Sequence, residues 1–411
     1  MKTYLVGGAI RDKLLNIPVR DNDWVVVGST AKELISLGFS QVGKGFPVFL
    51  HPKTKQEYAL ARTEKKISSG HTGFEINAAP NVTLEEDLKR RDLTINAIAE
   101  NTHGKLIDPY GGQKDIKNKK LRHVSEAFRE DPLRVLRVAR FAARFAHLGF
   151  SIAEETLLLM KDISQSDQLE TLSAERVWQE LELALATTSP AIFVSTLRDC
   201  GALKTILPEV DALFDVSQPK ESYSKIDTGL HTLLSLEQAA KISEDTVVRY
   251  ATLIRDVGKG VTEESKYSSH DRQELLGLPL QVNITNRMRV PKEHAELAAL
   301  VCEHHTKLYS LERLKPSTVL SLLESLDAIR RPGRLDKFLL ACEANARTRS
   351  GFENKDYPQG KHLRSILSAL CAMNIRELLL KNATNDPAKL IRSSRLTMIE
   401  SEMSKYGATS V

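Results

Sequence analysis

Residues 7–28 read GGAIRDKLLNIPVRDNDWVVVG, preceded by the short apolar run TYLV. Paired glycines where a strand gives way to a helix leave backbone N–H groups unsatisfied at the positive end of the helix dipole, an arrangement suited to phosphate. Gly7 and Gly8 carry no Cβ, so a ligand can come close to the main chain. Arg11, one turn into the helix, adds a charge-assisted contact to the same group. Asp21 and Asp23 stand two residues apart before a run of valines. On a strand such residues share a face, where two carboxylates can hold a hard divalent cation such as Mg²⁺. Alone, the glycines also fit a tight turn, and RDND a solvated one. Together they point to a metal-bound triphosphate. Glu57, which opens EYALAR, is a candidate third carboxylate from a neighbouring strand.

Around this stretch the first 120 or so residues read as mixed α/β. DWVVVG is continuously apolar and β-branched, the mark of a buried strand, and FPVFLHP and EYALAR continue the pattern across the turn PKTKQ. Beyond Leu121 helical periodicity takes over. The expected fold is an α/β head followed by an all-α neck, body and tail. The expected divisions are a head over 1–121, a helical neck over 122–210 and a helical body and tail over 211–411, with an exposed linker at 214–229. The chain has 411 residues with 58 basic and 53 acidic side chains, a net charge of +5. That balance is compatible with a nucleic-acid partner without establishing one. Four cysteines without a CxxC pair exclude a zinc ribbon or a disulfide framework. No apolar run is long enough to span a bilayer, and the N-terminus has no signal-peptide pattern, so the expectation is a cytoplasmic protein without a membrane partner.

Two further stretches carry polar groups on apolar helices. In KRRDLTINAIA (89–99), Arg91 can hold a phosphate while Asp92 or Asn96 bonds a ribose hydroxyl, or Asp92 simply caps a helix. In EDPLRVLRVARFAARF (130–145), Asp131 and Pro132 look like an N-cap and N1 pair. Arg134, Arg137, Arg140 and Arg144 follow as one stripe, which must face solvent, an acidic partner or a phosphate-rich cleft. Asp131 and Arg134, one turn apart, offer an acceptor and donors that match a base edge.

GGAIRD, DND, RRDLTINA, DPYGGQKDI, EDPLRVLRVARF and ERVWQELE occur here in the order that resembles class II tRNA nucleotidyltransferases of the bacterial CCA-adding type. The motif-bearing resemblance covers roughly residues 1–185. It implies that the α/β head is a nucleotidyltransferase (polymerase-beta-like) domain and that the protein is an enzyme adding C, C and A to the tRNA 3′ end from CTP and ATP without a nucleic-acid template, with Mg²⁺ as cofactor and tRNA, ATP and CTP as partners. By motif, Gly8 and Arg11 would contact the nucleotide's phosphates, and Asp21 and Asp23 would bind Mg²⁺ and be catalytic. Arg91 would lie against nucleotide and ribose, Arg137 and Arg140 would help bind the nucleotide, and Asp131 and Arg134 would read its base. DPYGGQKDI resembles a hinge, and RTEKKISSGHTGFE lies in the region of the family's flexible loop.

One departure concerns residues 225–345. Many relatives carry there an HD phosphohydrolase domain with metal-binding histidines. His231, Asp256 and one of His304 or His305 match ligand positions, but the dyad that should read His-Asp reads Arg255-Asp256, and the next cluster is reduced to His270. A cation at a ligand position repels a metal, so the expectation is a degenerate HD-like helical scaffold without phosphohydrolase activity. The alternatives for the whole chain are a poly(A) polymerase, a CC- or A-only transferase, or a non-catalytic RNA-binding protein.

Overall fold

The computed structural model describes residues 1–19, 21–42, 48–66, 74–216, 227–261, 270–349, 351–382 and 385–409, by backbone alone at 64–66, 74–76, 270–275 and 406–409. The flexible-loop reading at 62–75 and the linker reading at 214–229 fall largely outside these residues. So does the side chain of His270.

The sheet begins with β1 (Lys2–Val6), α1 (Gly8–Leu14), β2 (Asp23–Val27) and α2 (Ala31–Ser36). It continues with β3 (Ser40–Val42), β4 (Val48–Leu50) and β5 (Glu57–Leu60), then the separate hairpin of β6 (Thr63–Lys66) and β7 (Phe74–Asn77). After α3 (Leu84–Lys89) and a 3₁₀ turn at Thr94–Asn96, β8 (Ala99–Asn101) and β9 (Leu106–Ile107) complete a seven-stranded mixed sheet of order β3-β4-β5-β2-β1-β8-β9. β2 is central, antiparallel to β1 and parallel to β5. Its valines alternate between two cores: Val25 packs with Val6, Leu84, Leu88 and Ala99 on one face, Val26 with Leu34, Phe39, Phe49 and Leu60 on the other. Burial on both faces is why DWVVVG reads as continuously apolar.

The head closes with α4 (Gly112–Asn118) and β10 (Lys120–Leu121), which pairs with β11 (Ser151–Ile152) beyond α5 (Leu133–Phe145). Then come α6 (Glu154–Ser164), α7 (Ala174–Leu185), α8 (Ala191–Asp199) and α9 (Leu203–Ile206). These elements form one compact unit, residues 1–184 with 192–206. The second unit, residues 185–191 with 207–411, is helical. It holds α10 (Pro208–Asp211), α11 (Thr228–Ile242), α12 (Thr246–Ile254), α13 (His270–Met288), α14 (Lys292–His304) and α15 (Pro316–Ser325). It ends with α16 (Pro332–Ala346), α17 (Pro358–Ala372), α18 (Ile375–Lys381) and α19 (Pro387–Thr409). Its core is α12, whose Tyr250, Leu253 and Ile254 are fully buried against α11, α14 and α16. Arg249 on the same helix donates to the carbonyls of Leu185, Thr187, Ala240 and Ser243, satisfying helix-end groups that burial would otherwise orphan. An α/β head followed by helices is thus the fold, as its two sequence regimes predict.

The DPYGGQKDI stretch is a capped helix start. Asp108 accepts from Gly112 N at 2.7 Å and from Gln113 N at 2.8 Å, and Gly111 turns the chain at φ +75°. A Cβ on Gly112 would stand 2.3 Å from Thr94 O and 2.7 Å from Ile98 Cγ1. Glycine therefore allows α4 to lie against the 3₁₀ turn that carries Asn96. Gly112→Ala should destabilise the protein by about 1–3 kcal/mol through overpacking, read as a lowered urea midpoint at unchanged slope.

Candidate active site

A cavity of about 550 Å³ opens in the first unit, lined by Gly7, Gly8 and Asn96, seven arginines (11, 62, 90, 91, 134, 137, 176) and Asp23, Asp92 and Asp131. Leu133 and Phe141 supply its apolar wall. Of the residues singled out from sequence, Gly8, Arg11, Asp23, Arg91, Asp131, Arg134 and Arg137 meet on this wall, whereas Asp21 and Arg140 do not.

The glycines and the aspartates meet through strand register. Val6, the last residue of β1, pairs with Asp23, the first of β2, so Gly7 emerges beside that carboxylate. Gly7 has φ +69°, and a Cβ there would come within 2.7 Å of Arg91 Nη1; the position needs glycine both for its dihedral and for that close approach. Gly7 has no side chain with which to cap α1, and both Gly7 and Gly8 line the cavity. Both carboxylates are exposed, but Asp21 precedes the strand, so only Asp23 is held by the sheet and the strand alternation expected from the i, i+2 spacing does not extend to Asp21. Glu57 is the register partner of Asp23 on β5.

Asp23 is open to the cleft, yet its carboxyl is pushed up, first by loss of hydration and then by Asp21, against the opposing charge of Arg91. A carboxylate short of water beside another carboxylate is stabilised by a cation. Among the described residues no three His, Cys, Asp or Glu gather to hold a metal. The donor set therefore fits an oxygen-seeking divalent ion that takes its remaining ligands from water or phosphate.

The arginines are organised by carboxylates beneath them. Asp87, fully buried at the end of α3, accepts from Arg62 N at 3.3 Å, Arg90 Nη2 at 2.8 Å and Arg91 Nη2 at 3.2 Å. Burial opposes its charge, but Arg91 and Arg90 hold its carboxyl below the usual range. The i+3 and i+4 spacing of DLKRR makes this pairing legible in retrospect. Arg11 is itself buried; it donates to Asp12 Oδ1 and Asn96 Oδ1 and lies 5.2 and 5.1 Å from the ring centroids of Phe141 and Phe145.

Asp92 links this region to α5 and is no helix cap: its carboxylate accepts from Asn96 Nδ2 at 2.9 Å and from Arg137 Nε at 2.8 Å. Despite burial, Arg137 and Asn96 hold the Asp92 carboxyl far below the ordinary carboxylate range, and Asp92 in turn pushes the Arg137 guanidinium up. The stripe on α5 faces acidic partners within the chain: Arg137 and Arg140 meet Glu180 on α7, and Arg144 meets Asp12 on α1. Arg140 thus lies behind the cleft wall.

Asp131 and Arg134 are both clamped. Arg134 donates to Ala127 O at 2.7 Å and Arg90 O at 2.6 Å. Asp131 accepts from Leu133 N at 3.1 Å, one position beyond the predicted N1, and from Arg176 Nη2 at 2.7 Å. Arg176 and Glu180 both come from ERVWQELE, whose order in the chain is informative but whose partners cannot be read from spacing.

The Asp92–Arg137 pair has a pH signature. A carboxyl depressed by folding contributes its full stability above the unfolded value of about 3.9 and loses it as acid drives the pH down towards the folded value. The gap in urea midpoint between wild type and Asp92→Asn should therefore be widest at pH 7 and shrink below pH 4. A gap that does not change with pH would contradict the pairing.

Residues 3–122 match the poly A polymerase head domain, and residues 149–214 match a probable RNA- and SrmB-binding site of polymerase A. Among solved structures, an apo form of a CCA-adding enzyme superposes with TM-score 0.68 at 20% identity, covering 100% of this chain and 92% of that one. A Thermotoga maritima CCA-adding enzyme complexed with tRNA gives TM-score 0.65 at 19% identity, covering 100% and 92%. A Bacillus stearothermophilus CCA-adding enzyme in complex with CTP gives TM-score 0.59 at 21% identity, covering 97% and 89%. At these identities the likeness is one of fold. The chain thus carries a region matching the poly A polymerase head domain, followed in order by one matching a probable RNA-binding site of polymerase A, and no described helix is long and apolar enough to cross a membrane.

Proposed function

We propose that this protein is a CCA-adding enzyme, extending the tRNA 3′ end with C, C and A from CTP and ATP without a nucleic-acid template. One observation carries the reading: a single cleft has Asp23 and the glycines at one end, arginines along its wall, and a clamped carboxylate–guanidinium pair, Asp131 and Arg134.

Gly7 and Gly8 admit the triphosphate to the backbone, and Arg91 and Arg137 neutralise it, with Arg11 beneath them. Asp23 and Asp21 would hold a divalent ion such as Mg²⁺, which would supply Lewis acidity for attack by the tRNA 3′ hydroxyl and departure of pyrophosphate. Asp131 accepts from the exocyclic amine of C or A, and Arg134 donates to the adjacent ring nitrogen. U and G present the reversed pattern, so one fixed pair selects both correct bases. Fixing the pair through Arg176, Ala127 and Arg90 keeps the donor–acceptor order from inverting. The helical regions hold tRNA by phosphate and shape contacts, a reading supported by the likeness of the fold to a Thermotoga maritima CCA-adding enzyme complexed with tRNA. The head's likeness to poly A polymerase favours one other outcome, an A-tail.

The test is incorporation of labelled CTP and ATP, with Mg²⁺, into tRNA ending at the discriminator base, resolved nucleotide by nucleotide. Ordered addition of C, C and A is expected. Asp23→Ala should lose at least about 10³-fold in rate, and Arg134→Ala should admit UTP or GTP by about 10- to 100-fold relative to wild type. A long A-tail, a stop at CC, or tRNA binding without incorporation would each replace the proposal.

A further inference from the structure

Arg255, at the C-terminal end of α12, is 1% exposed in the helical unit. Its Nη1 donates to Thr252 O at 2.8 Å, and its Nη2 lies 3.0 Å from His231 Nδ1, 3.0 Å from Ser235 Oγ and 2.9 Å from Asp256 Oδ2. Asp256 Oδ1 lies 2.8 Å from Lys259 Nζ and 3.5 Å from His305 Nε2. His231, Asp256 and His305 are all buried. Of the two adjacent histidines, His305 faces Asp256, whereas His304 Nδ1 meets Lys307 Nζ at 2.8 Å.

Both imidazoles are oriented from behind. Thr348 Oγ1 donates to Asn345 O and stands 3.0 Å from His231 Nε2, which puts the His231 proton on Nε2 and leaves Nδ1 as acceptor towards Arg255. His305 Nδ1 lies 2.8 Å from Val301 O, so its Nε2 is the nitrogen turned inward. Histidines that ligate metals are held in this way: the outer N–H is tied to a hydroxyl or carbonyl and the inner nitrogen is presented to the cation. Here the cation that His231 and Asp256 meet is the Arg255 guanidinium, while His305 Nε2 faces Asp256. An ammonium or guanidinium this deep is tolerated only when its acceptors converge on it, and removing it leaves a carboxylate buried without its counter-charge.

We propose that Arg255 is a resident substitute for a metal ion: its guanidinium bridges His231 and Asp256, with His305 against the other oxygen of Asp256, and keeps this helical unit folded without a bound metal. With the guanidinium in place, no three such donors among the described residues gather on a metal; with an imidazole in its stead, the mixed nitrogen and carboxylate donors would suit a divalent transition cation of the zinc type. Burial and the charge of Arg255 push His231 down to about 3, so its imidazole stays neutral and available as an acceptor across the physiological range. Lys259 covers the free carboxylate oxygen, completing the exclusion of a second cation.

The test is thermal unfolding of the full chain, wild type and Arg255→His, in EDTA and in Zn²⁺ or Co²⁺. Wild type should melt within about 1 °C in either condition, apart from any shift that Asp21→Ala/Asp23→Ala abolishes. Arg255→His should melt several degrees lower in EDTA and recover by roughly 5 °C or more with metal. Co²⁺ should give it the visible absorption of a nitrogen-ligated centre, which the added change His231→Ala removes. If Arg255→His is soluble only when prepared with metal, the proposal is supported; insolubility in both conditions contradicts it. A folded Arg255→His indifferent to metal, or a wild type that binds metal through His231, would also overturn it.

Discussion

A buried alternation of charge and amide holds the head together: Arg11 to Asn96, Asn96 to Asp92, Asp92 to Arg137, and Arg137 with Arg140 to Glu180. It passes from α1 through the 3₁₀ turn to α5 and α7. Each arginine that lines the cleft would otherwise repel its neighbours, and seven of them meet in one cavity. The carboxylates behind them offset that repulsion and fix the direction of each guanidinium. Without Asp87, Arg90 and Arg91 have no common anchor, and without Asp92 the first turns of α5 lose their tie to the sheet. A cleft net positive by construction then has one natural occupant class, a polyanion.

The glycines obey the same constraint. Gly7 takes its positive φ and close contact with Arg91 because β1 ends beside Asp23, and Gly112 lets α4 approach the turn that presents Asn96. Both positions fix where arginines and the catalytic candidate stand relative to each other. The helical unit uses its own version of the rule: Arg249 satisfies four carbonyls, and Arg255 gathers two helices' worth of acceptors.

Much of this was legible before any coordinates. The apolar run WVVV at 24–27, flanked by aspartate and glycine, marks the central strand, and the arginine stripe marks one face of α5. Spacing within an element specifies a face, however, and leaves the partner open. That Asp23 meets Gly7 depends on the antiparallel register of β1 with β2, and that Arg140 faces Glu180 depends on how α7 packs on α5. For the same reason Arg62 and Arg176 escaped notice as cleft residues. The spacing of Asp21 and Asp23 fits strand alternation, but pairing starts only at Asp23, where β1 and β5 both supply partners.

The central claim is that the carboxylates create the nucleotide site by holding its arginines. CTP affinity measured calorimetrically across the cycle of wild type, Asp92→Asn, Arg137→Gln and the double variant addresses it directly. If the pair acts as one unit, each single change should weaken CTP at least about tenfold and the double change little more than the worse single. Losses that simply add would mean that Asp92 and Arg137 act independently, and that the cleft is not assembled in the way described.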